Sequence, residues 1–353
     1  MIRTRVLLSA LLAAAPTAAL AGPRAAAAAK PEAAAETLLR ATLAPPRRAW
    51  DGELVVENRA GGVVERRTVK ALFSPPDLRR REALYPDGRV RLLIVSDGRV
   101  EWVYDAARGL ALKGEPADPD VKLLDPDEEL ELLLRSHELR EGDGERVAGR
   151  EARVLELFRR ADGKLSLRLW VDAREGLVLK REAYGADGEP PLVSEFRAVV
   201  FSSAIAPAAF SFVPPRGVRA RERRWRGDFL DLEEAEAQAG MPLMLPRRLP
   251  EGFVLESVNV LPYKGASILH ARFTDGVGLL SLFQYPRTAR LRLGWGKLGR
   301  PKSVRVGVSP GRMAATGDGK ILDWKGARFR FVLIGPGSAE ALRRVAESIE
   351  EVP

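Results

Sequence analysis

Asp-Gly pairs set between runs of alternating apolar and polar residues constrain this chain more than any other feature of its sequence. They stand at 87–88, 97–98, 162–163 and 187–188. Asp-Gly readily takes the positive φ angles of tight hairpin turns, so each pair predicts a joint between antiparallel neighbours. The flanking segments have the matching period. Trp50, Gly52, Leu54 and Val56 alternate with Asp51 and Glu53. The same two-residue repeat runs through 90–94, 100–104, 165–171 and 196–200. A parallel sheet would need crossover helices, for which the chain leaves little room. Residues 45–215 are therefore expected to form one large antiparallel sheet.

Such a sheet must cover its apolar face with a second sheet, with helices or with a ligand. Two helices are available. Residues 22–44 read as an alanine-rich leader followed by a short helix, which carries Leu38, Leu39 and Leu43 and stops at Pro45-Pro46. Within the meander, Asp125 is a good N-cap, Pro126 suits the first helical position, and Asp127, Glu128 and Glu129 complement the helix dipole. The body of that helix holds Leu130, Leu132, Leu133 and Leu134. A concavity left unfilled by these helices would suit acyl chains; a filled one is ordinary core, and alternation does not separate the two. The candidates for a lipid-facing surface are Trp50, Leu54, Leu92, Ile94, Trp102, Leu167 and Leu169, with Leu130 and Leu134 from the covering helix.

Beyond Phe210-Ser211-Phe212-Val213-Pro214-Pro215 the composition changes. Residues 216–230 form a basic connector with Arg216, Arg219, Arg221, Arg223, Arg224 and Arg226. It reads either as a solvated linker or as a cationic strip for a partner or an anion, since arginine grips phosphate and carboxylate with paired hydrogen bonds. Arg79-Arg80-Arg81 reads as an exposed strand edge, where charge discourages pairing. Residues 231–353 are expected to form a smaller α+β domain. Its elements are a helix at 231–239, strands at 253–260, 268–273, 277–283 and 329–334, hairpins at Asp275-Gly276 and Asp318-Gly319, and a closing helix at 338–349 lined by Leu342, Val345 and Ile349.

Arg3 and Arg5, an apolar run over 6–15 and the small-x-small pattern Ala19-Leu20-Ala21 predict a cleavable export signal over 1–21. The formal net charge is +9. That excess favours anionic lipid, lipopolysaccharide or an acidic protein face, and export argues against nucleic acid. The chain has no cysteine, which excludes disulfides and thiolate chemistry. Its two histidines, His137 and His270, fall in different domains and have no zinc-site spacing. No Gly-x-Ser-x-Gly elbow, Walker loop or Ser-x-x-Lys is present. The reading is a non-enzymatic binding protein with no cofactor and no metal, its oligomeric state left open.

Specific phrases then add what patterns do not. Leu169-Trp170-Val171-Asp172, Gly176-Leu177-Val178-Leu179-Lys180 and Tyr184 with Asp187-Gly188 resemble a strand-hairpin phrase of the lipoprotein-carrier (LolA-like) superfamily. Phe210-Ser211-Phe212-Val213-Pro214-Pro215 resembles that superfamily's domain ending. Leu249-Pro250-Glu251-Gly252-Phe253 and the stretch from Phe273-Thr274-Asp275-Gly276-Val277-Gly278 to Phe283 are similar to the C-terminal domain of the MucB/RseB family. The resemblance implies a mostly β, α+β protein, in which a LolA-like antiparallel half-barrel covered by helices is followed by a smaller domain. It also implies a periplasmic regulator of the envelope-stress sigma factor. Members hold the periplasmic segment of a membrane anti-sigma factor, shield it from proteolysis and are released by lipid or lipopolysaccharide. Two alternatives stand beside it: a periplasmic carrier of lipids or lipoproteins, and a structural envelope protein with a packed core.

Overall fold

A computed structural model describes residues 31–351, apart from 61–62, 117–123, 186–191, 203, 223–230, 264, 290–300 and 317–318. The expected export signal, the Asp187-Gly188 turn and Arg223, Arg224 and Arg226 lie outside the described residues. The chain enters through helix α1 (Pro31–Leu43), which ends before Pro45-Pro46. It starts inside the stretch expected to be a loose leader, because proline at a first helical position has no donor to leave unsatisfied.

The hairpin of β1 (Ala49–Ala60) and β2 (Val63–Ser74) continues into β3 (Leu78–Leu84), β4 (Val90–Ser96), β5 (Glu101–Asp105) and β6 (Leu110–Gly114). The turn from β4 to β5 is built by Asp97-Gly98. Asp97 Oδ1 accepts the amides of Arg99 at 2.9 Å and Val100 at 2.7 Å, while Gly98 takes φ +83°. Helix α2 (Pro126–Ser136) follows with a complete capping box. Asp125 accepts the amides of Asp127 and Glu128, and Glu128 Oε2 accepts the Asp125 amide at 3.1 Å. Then come β7 (His137–Val147), β8 (Arg150–Arg159), β9 (Leu165–Asp172), β10 (Val178–Ala183) and β11 (Leu192–Ser202).

These strands join in one sheet of order β12-β6-β5-β4-β3-β2-β1-β11-β10-β9-β8-β7, where β12 is Arg219–Glu222. All its pairings are antiparallel except β12 with β6, which is parallel. The first sheet thus takes its last strand from within the stretch expected to be a linker. Arg79-Arg80-Arg81 is likewise not at an edge: β3 lies between β2 and β4 with both sides paired.

The second lobe opens with α3 (Leu232–Ala239) and β13 (Met244–Pro246). Its main sheet has the order β14-β15-β16-β20-β19-β18-β17. The strands are β14 (Val254–Tyr263), β15 (Ala266–Thr274), β16 (Leu279–Pro286), β17 (Lys302–Val306), β18 (Ser309–Ala315), β19 (Lys320–Lys325) and β20 (Phe329–Gly335). Helix α4 (Ala339–Glu347) sets Leu342, Val345 and Ala346 on the same core as Leu269, Phe273, Leu282, Leu322 and Leu333. It is shorter than the sequence suggests. Ser348 leaves the helix, and Ile349 joins β21 (Ile349–Glu351), which pairs with β13. The whole is mostly β, with helices laid on one face of each sheet. No helix among the described residues is long and apolar enough to cross a membrane.

Candidate functional site

Strand register decides which side chains share a face, because residues paired across strands point to the same side. Leu169 pairs with Arg181, Arg181 with Ser194 and Ser194 with Val56, so Leu169 shares a face with Val56, Leu54 and Trp50. In the other direction Leu54 pairs with Val69, Val69 with Ala83, Ala83 with Leu92, Leu92 with Asp105 and Asp105 with Leu110. One row further along, Arg81, Ile94, Val103 and Leu112 line up in the same way. Trp50, Leu54, Leu92, Ile94, Leu167 and Leu169 therefore stand on a single face.

That face has two regimes. Over β8 and β9, helices α1 and α2 close it. Leu39, Leu43, Leu130 and Leu133 pack on Leu155, Leu157, Leu167, Leu169 and Val171, with Leu134 partly buried at the margin. Arg40 of α1 forms an ion pair with Asp127 in the first turn of α2, tying the two helices together. Trp50 and Leu54 belong to a second buried cluster, in which the Trp50 ring meets Phe196 edge-on at 5.4 Å. Toward β4 and β6 the cover thins, and Leu92, Ile94, Leu110 and Leu112 are only half-buried. Arg219 and Arg221 of β12 pair with Leu110 and Leu112, so these exposed cations rim the same half-open strip. Arg216 lies just before them, also exposed.

Trp102 does not join this surface. It pairs with Val95, whereas Ile94 pairs with Val103, so Trp102 points to the opposite side of the sheet. There its ring meets Phe212 at 5.8 Å, in a cluster with Leu93, Val95 and Phe210. The chain crossing that side is fastened by Arg80 Nη1, which donates to the carbonyls of Ala209 at 3.2 Å and Ser211 at 3.3 Å. Periodicity gave Trp102 a strand but left its face open by one residue. Arg79 and Arg81, read from sequence as part of an exposed strand edge, stand on the helix-bearing face instead, since an arginine run carries no register signal.

The C-terminal end of α2 carries contacts with the second lobe. The Ser136 hydroxyl donates to the Gly252 carbonyl at 3.3 Å, and Val277 packs into the cluster around α2. A Cβ on Gly276 would stand 2.6 Å from Leu133 Cδ2, and Gly276 also holds φ +92°. Beneath these contacts His137 and Asp275 are buried together, with Nε2 and Oδ2 3.9 Å apart. Burial pushes the His137 imidazole below its ordinary pKa; Asp275 opposes that shift, and Arg159 and Arg160 add to it. The family-like stretches 249–253 and 273–278 thus turn at the seam, through the Pro250–Phe253 turn and the Asp275-Gly276 turn. Among the described residues no group of three or more His, Asp or Glu side chains is placed to hold a metal ion.

The model of the MucB/RseB N-terminal domain matches residues 33–210, a span of about half the chain. The crystal structure of MucB aligns with TM-score 0.52 at 21% identity, covering 91% of this chain and 98% of that one. The MucA/MucB complex from Pseudomonas aeruginosa aligns with TM-score 0.53 at 20% identity, covering 90% and 95%. MucB in complex with MucA(peri) gives 0.51 at 18% identity, covering 90% and 97%. No curated protein matches the chain.

Proposed function

The chain belongs to the MucB/RseB family, and from that premise we propose that it is a periplasmic binding protein that holds the periplasmic segment of an anti-sigma factor and lets go of it in response to lipid. One observation carries the partner half of this reading. The likeness to MucB runs through both lobes, over nine-tenths of the chain, and two of the matched structures are MucB bound to MucA or MucA(peri). A carrier acting alone would have no need of the second lobe. Residues 1–21 serve as the export signal in this account.

The lipid half rests on the half-open strip. Leu92, Ile94, Leu110 and Leu112 offer apolar surface to an acyl chain, and Arg219 and Arg221 offer paired donors to an anionic head group at its rim. The work done is binding, and the helix-covered part of the face acts as the rigid wall that shapes the strip.

Limited proteolysis tests both halves. The periplasmic segment of the anti-sigma factor from the same bacterium, mixed with this protein, is expected to survive protease several-fold longer than alone. Added lyso-phosphatidylglycerol should return its lifetime toward that of the free peptide. A segment cut at the free rate in the presence of folded protein would overturn the partner reading. Protection that lipid leaves untouched would overturn the lipid reading alone.

A further inference from the structure

The seam between the lobes contains a buried titratable pair, His137 and Asp275. The His137 side chain is 1% exposed and that of Asp275 6%. His137 Nδ1 lies 3.3 Å from the Leu133 carbonyl, which can only accept, so this nitrogen carries the hydrogen. In the neutral ring Nε2 then presents a lone pair and has no hydrogen-bond partner. It faces a carboxylate at 3.9 Å, too far to bond. Asp275 Oδ1 is occupied by the amides of Val277 at 3.0 Å and Gly278 at 2.6 Å, so Asp275 is held in place by its own turn.

The two residues come from different lobes. His137 caps α2 and begins β7, while Asp275 opens the turn from β15 to β16. Around them the fit is close. Leu133 fills the space that a Cβ on Gly276 would need, and Ser136 does the same at Gly252, where the clearance would be 2.8 Å. A seam this tight leaves little room to hydrate a charge.

We infer that the His137–Asp275 seam is a proton-operated latch, which holds the two lobes together while His137 is neutral and releases them when it takes up a proton. The charged groups facing the imidazole decide the direction. Asp275 favours the imidazolium, while Arg159 and Arg160 at the end of β8 oppose it. Arg160 is held there, its amide bonded to the Ser136 carbonyl at 3.0 Å and its Nε to the Leu134 carbonyl at 3.2 Å. From the other elements packed nearby, Glu251 in the second-lobe turn is exposed, and Arg40 of α1 is engaged with Asp127.

Burial outweighs the single carboxylate, so the docked imidazole binds its proton more weakly than a free one. Protons therefore favour the open form. The seam keeps its full stability above the ordinary imidazole pKa of about 6.5 and loses it as the pH falls below that value toward the docked pKa. The chain's other histidine does not compete in this range. The His270 ring is stacked on Phe283 at 4.2 Å, and burial with Arg272 beside it pushes its pKa down to about 3.

The absence of cysteine makes the test direct. Val64, 56% exposed in the first lobe, and Val308, 87% exposed in the second, can each be changed to cysteine and spin-labelled in the whole protein. Distance distributions between the labels would be recorded from pH 8 to pH 5, on samples whose circular dichroism stays native. One narrow population is expected at pH 8, with a second, longer one growing in below about pH 6.5. His137→Gln should abolish the pH response. Asp275→Asn keeps the acceptor that caps its turn but removes the charge that stabilises a docked imidazolium, so the docked ring binds its proton more weakly still and the transition should move to higher pH. If His137→Gln does not fold, Asp275→Asn carries the test. A distribution unchanged from pH 8 to pH 5 would overturn the latch. So would a response that survives His137→Gln, or one that Asp275→Asn fails to raise. None of these outcomes depends on the anti-sigma partner.

Discussion

Leu155 illustrates what single residues contribute here. It is enclosed between the helices and the sheet, at the centre of the cluster that α1 and α2 cover. Leu155→Ala leaves a cavity that surrounding leucines close only in part, and is expected to cost about 2–5 kcal/mol in urea unfolding. The exposed Val200→Ala should stay within about 0.5 kcal/mol, and equal losses at the two sites would contradict the assigned faces. Residues whose role is local were readable from sequence. The Asp125 cap and the Asp97-Gly98 turn need only their near neighbours in the chain. Trp102 was not readable, because its face depends on pairing with Val95 rather than with its own flanks.

At the scale of elements, the strands with clean alternation declared their faces, and the polar ones did not. β3 and β7 carry charged residues in succession, which hides their period even though pairing embeds β3 within the sheet. β12 was hidden differently. Four exposed residues become a strand only because β6 offers an open edge beside them. That placement turns part of an arginine-rich connector into the rim of the half-open strip. The double change Arg219→Glu with Arg221→Glu should therefore weaken co-sedimentation with phosphatidylglycerol vesicles about tenfold or more, since each basic residue near such a surface is worth about 1 kcal/mol. Phosphatidylcholine controls should not move. Undiminished binding to anionic vesicles would remove the rim from the account.

The whole molecule adds what neither scale contains. The phrases around Gly252 and Gly276 were legible as signatures of a family, but their physical purpose was not. They are the places where the second lobe comes close enough to α2 to exclude a side chain. The helices that close the first sheet thus also present the contact for the second lobe, and α2 touches both the covered face and the seam. Whatever binds across the lobes would find their relative placement set by this one helix. On the proposed function, both lobes together serve to hold a partner. That role is tested most directly by titrating a fluorescently labelled periplasmic segment of the same bacterium's anti-sigma factor with this protein lacking residues 1–21, at pH 7.5, and following anisotropy. Saturable binding with one segment per chain, displaced by the unlabelled segment, is the result predicted. An anisotropy that stays at the free-peptide value while the protein remains folded would contradict it.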